Sequence, residues 1–220
     1  MTQIAQRYRQ LRAEVPANVA IVAVSKFQPR EAIDDAVAAG IRDFGENYVQ
    51  EAIRKFTQHD TAPTLHFIGH VQTNKAKAIA KAFDVVQSVD RLDAALALSK
   101  AAVSLRKQLK VLLQLNISPT ERFGCPAADA ERFAEALRTL PGLHLDGVMA
   151  IGPITGERDA LLDAFGGAAD LWRRIGGETL SIGMSGDWRE AIEAGSTMIR
   201  VGTAIFGPRP ARKASNSVSS

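Results

Sequence analysis

Lys26 closes the apolar run Ile21-Val22-Ala23-Val24-Ser25. Such a run reads as a buried parallel strand, and a lysine at its end stands where a barrel or open sheet presents its working face. Desolvating an ammonium group is costly, so a lysine held at such a mouth tends towards a depressed pKa and becomes an amine nucleophile for carbonyl compounds. The alternative is that Lys26 ends its strand in water, as most lysines do. A second cluster lies far along the chain, in Gly183-Met184-Ser185-Gly186-Asp187. The glycines let backbone approach a ligand, Asp187 and Glu190 have capping-box spacing for a helix over 188–194, and the Ser185 hydroxyl stands beside that helix start. This is a natural phosphate seat, although the same glycines could simply make a tight turn. Gly202-Thr203 adds a backbone and a hydroxyl donor.

Arg200 shares one strand face with Met198 and Gly202, while Ile199 and Val201 share the other. An arginine in an apolar strand needs a partner: a carboxylate such as Glu46, a phosphate or a ring nitrogen. A phosphate seat, an inward arginine and an amine at one mouth fit pyridoxal 5′-phosphate (PLP). They fit a Schiff-base aldolase acting on a sugar phosphate equally well, so the residue chemistry alone leaves both open.

These residues need a scaffold that brings the ends of the chain together. Strand-like segments are expected at 19–25, 43–46, 65–69, 85–89, 111–116, 145–151, 179–184 and 198–206. Amphipathic helical stretches lie between them, such as Ala130, Phe133, Ala134 and Leu137, or Leu161, Phe165, Ala168, Trp172 and Ile175. Eight β/α units without a composition break predict an α/β fold, a single (β/α)8 TIM-type barrel. An amphipathic segment over 1–15 predicts an extra N-terminal helix, and no helix is expected after the last strand. A doubly wound open sheet is the competitor, but no G-x-G-x-x-G follows the first strand. The expected division is a barrel domain over 1–208 and a disordered basic, Ser-rich tail over 209–220.

Composition narrows the function classes. The formal net charge of +3 arises in the tail: without Arg209, Arg212 and Lys213 the basic and acidic residues balance at 24 each, which argues against a nucleic-acid partner. Cys125 is the single cysteine, so no intramolecular disulfide and no cysteine-based zinc site is available, and a loop position is expected for it. The histidines lack metal-ligand spacing. No signal peptide and no bilayer-length apolar run is present, which predicts a cytoplasmic protein.

Several ordered segments carry a resemblance across nearly the whole chain: Ala23-Val24-Ser25-Lys26, Phe44-Gly45-Glu46-Asn47-Tyr48-Val49-Gln50-Glu51, His66-Phe67-Ile68-Gly69, Gln72-Thr73-Asn74-Lys75, Met149-Ala150-Ile151, Gly183-Met184-Ser185 and 196–207. Together they closely resemble the YggS/PROSC family of pyridoxal phosphate homeostasis proteins. The family often has proline where this chain has His70. The resemblance implies a barrel related to the N-terminal domain of alanine racemase, with PLP held as an aldimine on Lys26. It implies that Ser185, Gly186, Gly202 and Thr203 hold the phosphate, that Arg200 faces the pyridine nitrogen and that Asn47 lines the site. The expected function is reversible PLP binding, buffering or delivery without catalytic turnover, in a monomer that meets apo PLP-dependent enzymes transiently. The alternative is a racemase-like enzyme. An arginine opposite the ring nitrogen disfavours its protonation and weakens the ring as an electron sink, which favours the carrier. A racemase also needs a second acid–base group, and only Tyr8 and Tyr48 are on offer, neither at an evident mouth.

Overall fold

The computed structural model describes residues 1–56, 63–118, 123–154 and 157–208. The 209–220 tail lies outside the described residues. Eight parallel strands form a closed ring: β1 (Ala20–Val24), β2 (Asp43–Glu46), β3 (Thr64–Phe67), β4 (Val85–Val89), β5 (Leu109–Asn116), β7 (Leu143–Ala150), β8 (Thr179–Ser181) and β9 (Met198–Val201). The two-residue β6 (Cys125–Pro126) is appended to β5. The ring runs β4-β3-β2-β1-β9-β8-β7-β5 and closes by pairing β4 with β5, with Val86 opposite Val111. Helices connect the strands on the outside, so the expected TIM-type barrel is the observed fold.

The N-terminal helix α1 (Gln3–Glu14) is present. Thr2 opens it by accepting the Ala5 N–H, and it buries Ile4 and Leu11. The far end of the chain differs from expectation. The last strand stops at Val201, and Gly202 starts a single helical turn, α9 (Thr203–Phe206), whose Ile205 and Phe206 N–H groups bond back to the Gly202 carbonyl. Residues 203–206 are therefore a helical turn that buries Ile205 and Phe206 rather than more strand, and α1 packs against it. Cys125 is buried in β6 rather than half-exposed on a loop, and burial pushes its thiol up to about 11.

The main apolar cluster lies between the ring and the outer helices, including Phe44, Ile79, Leu98, Leu113, Leu137 and Phe165. The lumen is different. Alternation turns His66, Gln87, Ser181 and Arg200 inward, all buried, beside Val22, Leu112 and Met149. Barrel lumens are ordinarily filled by layers of branched aliphatic side chains. This polar interior is the scaffold's main departure from that pattern, and the candidate site sits on top of it.

Candidate functional site

The C-terminal ends of β1, β8 and β9 surround a cavity of about 260 Å³ lined by Lys26, Met184, Ser185, Gly186, Arg200, Gly202 and Thr203, with Val24, Gln28 and Gly207. Six of the seven residues expected at the site share this one space. The seventh, Asn47, lines a neighbouring mouth cavity of about 870 Å³ with Gly69, His70, Gln114 and Asn116. Its Oδ1 is buried and has no hydrogen-bond partner among the described residues. A buried amide oxygen without a donor is costly, so it points to a ligand group.

The cavity wall formed by residues 183–186 and Gly202 is built by four local features. The ladder bonds of β8 continue past Ser181, with Ile182 N–H donating to Met198 and Arg200 N–H donating to the Gly183 carbonyl. Gly183 has φ +95°, and a Cβ there would lie 2.6 Å from the Cβ of Ala191 in α8 (Trp188–Glu193), so only glycine allows this close approach. Ser185 Oγ accepts the Gly202 N–H at 3.2 Å, which ties the two loops and leaves the Ser185 proton to donate elsewhere. Gly186 contributes openness: a Cβ there meets nothing within 4 Å.

The expected capping box does not form. Asp187 makes no side-chain cap on α8. Its Oδ1 accepts the Met184 N–H at 2.5 Å and so braces the loop from the opposite side. Burial raises the Asp187 pKa, partly offset by the Met184 bond and the charge of Arg200.

Arg200 is 4 % exposed. Nη1 donates to the Ser181 carbonyl at 2.6 Å and to Ser181 Oγ at 2.8 Å, and Nη2 donates to the Ala150 carbonyl at 2.9 Å. The possible salt bridge to Glu46 is absent. Burial lowers the Arg200 pKa to about 10, with Asp187 opposing the shift, so the guanidinium is charged at neutral pH.

Glu46 belongs instead to a network that sequence reading missed. Lys55, on α3 (Val49–Phe56), is buried and holds the Ser25 carbonyl at 2.6 Å, Glu46 Oε1 at 2.8 Å and Glu51 Oε1 at 2.7 Å. Ser25 Oγ donates to Glu46 Oε1 at 2.7 Å, and Glu51 Oε1 accepts the Phe27 N–H at 2.5 Å. The network thus grips the chain on both sides of Lys26, including Phe27 in its left-handed conformation at φ 65°. Burial dominates at Glu46 and raises its pKa against the lowering effect of Lys55. The available signal was Glu51 and Lys55 at i, i+4 just after the acid at the end of β2. Tyr48 is also nearer the mouth than expected: its ring lies 5.8 Å from that of Phe27, although it does not line the Lys26 cavity.

A cation-rich pocket at the strand ends of a single parallel barrel defines a class. The sequence profile described as alanine racemase, N-terminal domain, matches residues 1–210. A pyridoxal phosphate homeostasis protein of Pseudomonas aeruginosa is 46 % identical over 198 residues, covering 88 % of this chain and 86 % of that one. The structure of PipY from Synechococcus elongatus with PLP bound superposes with a TM-score of 0.87 at 36 % identity, over 93 % of this chain and 100 % of that one. An alanine racemase of Clostridium difficile shares the fold, with a TM-score of 0.79 at 14 % identity, over 96 % of this chain and 57 % of that one. The chain belongs to the family of pyridoxal phosphate homeostasis proteins.

Proposed function

We propose that this protein binds PLP reversibly at the Lys26 cavity and buffers or delivers it, without turnover of its own. The observation that carries the reading is the convergence of Lys26, Ser185, Gly186, Arg200, Gly202 and Thr203 on one cavity from opposite ends of the chain. Lys26 Nζ would hold the cofactor at its aldehyde carbon, supplying the amine for a covalent tether. The Ser185 and Thr203 hydroxyls and the backbone around Gly186 and Gly202 hold the phosphate, and Asn47 offers its unpartnered oxygen from the adjoining cavity. Bound PLP supplies an electrophilic aldehyde and a conjugated ring.

Arg200 is central to the absence of turnover. Its charge would face the ring nitrogen and disfavour a proton there, which blunts the ring's capacity to accept electrons. Tyr8 and Tyr48 do not line the cavity. No helix among the described residues is long and apolar enough to cross a membrane. In this reading the protein is a cytoplasmic monomer that passes cofactor transiently to apo PLP-dependent enzymes.

The test is to load the purified protein with PLP, record its visible absorption, reduce with borohydride and map the label. Modification at Lys26, lost in Lys26→Ala, is the expected outcome. A wild type that neither gains a band nor retains cofactor would overturn the reading. Racemisation of alanine that depends on Lys26 would replace the carrier with an enzyme.

A further inference from the structure

A continuous line of polar side chains crosses the lumen beneath the cavity. Arg200 Nη1 lies 2.8 Å from Ser181 Oγ, Ser181 Oγ lies 2.7 Å from Gln87 Oε1, Gln87 Nε2 lies 2.9 Å from His66 Nδ1, and His66 Nε2 lies 3.1 Å from Asp43 Oδ1. The residues come from β9, β8, β4, β3 and β2, so each link bridges strands. Ser181, Gln87 and His66 are buried, whereas the Asp43 side chain is 35 % exposed at the opposite end of the barrel.

One chemical fact fixes the direction of every bond. A guanidinium has only donors, so Ser181 Oγ accepts from Arg200 and must send its own proton onward. Gln87 therefore presents Oε1 to Ser181 and its NH2 to His66. His66 Nδ1 must then be the bare acceptor, and its proton sits on Nε2 and donates to Asp43. All donors point away from the cavity, and the line ends on an acidic side chain. Hydrogen bonds aligned this way polarise one another in a low-dielectric interior.

We propose that Ser181, Gln87, His66 and Asp43 are positioning residues for Arg200, fixing its orientation and charge distribution at the cavity from the far end of the barrel. The two backbone carbonyls hold the guanidinium from behind, and Ser181 Oγ is the one side-chain acceptor of its hydrogen bonds among the described residues. A lumen filled only for stability would carry aliphatic layers in these positions. The cofactor consequence rests on the PLP reading above, but the line itself belongs to the unloaded protein.

The experiment compares wild type, Gln87→Met and Gln87→Glu. Nitrogen NMR of the unloaded protein should show His66 protonated on Nε2 and bare on Nδ1. Gln87→Met leaves the Ser181 hydroxyl without its acceptor and should move the Arg200 side-chain resonances. Gln87→Glu still accepts from Ser181 and should restore them, although a buried carboxylate is the costlier substitution to desolvate. In the loaded protein, Gln87→Met should release PLP about fivefold faster, the equivalent of one hydrogen bond, and Gln87→Glu should recover most of that loss. A His66 proton on Nδ1, Arg200 resonances indifferent to Gln87→Met, or equal release from all three proteins would overturn the proposal. Should the Gln87 variants fail to fold, Asp43→Leu at the exposed end should move the same resonances in the same direction by a smaller amount. A wild type that takes up no PLP would sink the proposed function alone, because the NMR arm still decides the line.

Discussion

Two buried cations flank Lys26, and they are satisfied in opposite ways. On the β2 side, Lys55 has two carboxylates and a carbonyl within 2.8 Å. On the β9 side, Arg200 has two carbonyls and a hydroxyl, and no carboxylate at ion-pair distance among the described residues. Burying a charge is tolerable only with compensation. Lys55 is compensated by the protein itself and acts as an internal clamp on the chain around Lys26. Arg200 is compensated at hydrogen-bond distance by dipoles alone, with the charge of Asp187 acting on it from farther away, and it lines a cavity, as a group kept for an incoming ligand would. A buried cation is therefore a pointer to function only after its partners have been counted.

The contrast can be broken at four places. Lys55→Ala strands Glu46 and Glu51 without their cation and should cost about 3–5 kcal/mol in urea unfolding. If it costs less than Arg200→Met, the clamp reading fails. Ser25→Ala removes one of the donors to Glu46 and should cost about 1 kcal/mol by the same measurement, because Lys55 still covers that oxygen. Asp187 sharpens the Arg200 side through pH. Its folded pKa is raised above 3.8, so the native state binds the proton more tightly than the unfolded chain does. Wild-type stability relative to Asp187→Asn should fall as pH rises from about 3.8 through the native value, then level off. A difference that grows in favour of wild type over that window would mean that Arg200 outweighs burial. The smallest stability effect belongs to Arg200→Met, about 1 kcal/mol or less, since removing a charge with no carboxylate at ion-pair distance relieves its desolvation. The same variant should nonetheless shift the absorption band of bound PLP, and an unchanged band would detach Arg200 from the cofactor.

The sequence disclosed the ring because the β/α alternation is periodic and most strand runs are apolar. Lys26, Ser185, Gly186, Arg200, Gly202 and Thr203 were legible because each sits at a strand end, where a barrel's topology alone dictates convergence. Asn47 was placed at the same mouth but faces the adjoining cavity. The Lys55 network was hidden because a lysine on a helix reads as solvated, and only the fold brings α3 behind the β1 turn. The polar lumen was hidden for a related reason. His66, Gln87 and Ser181 stand on separate strands, and their spacing in the chain carries no sign that they touch. Helical structure at 203–206 escaped notice because a short apolar run fits strand and helix alike, and Gly202 decides between them.

The pairing of β1 with β9, with Val22 opposite Arg200, has a consequence for biosynthesis. Lys26 leaves the ribosome early, and Ser185 leaves it some 160 residues later. Until those two strands zip together, the nascent chain holds a lysine with no cavity around it. On the proposed reading, capture of PLP would be a late event that reports a finished ring, and a stalled or truncated chain would compete poorly for PLP with the completed protein.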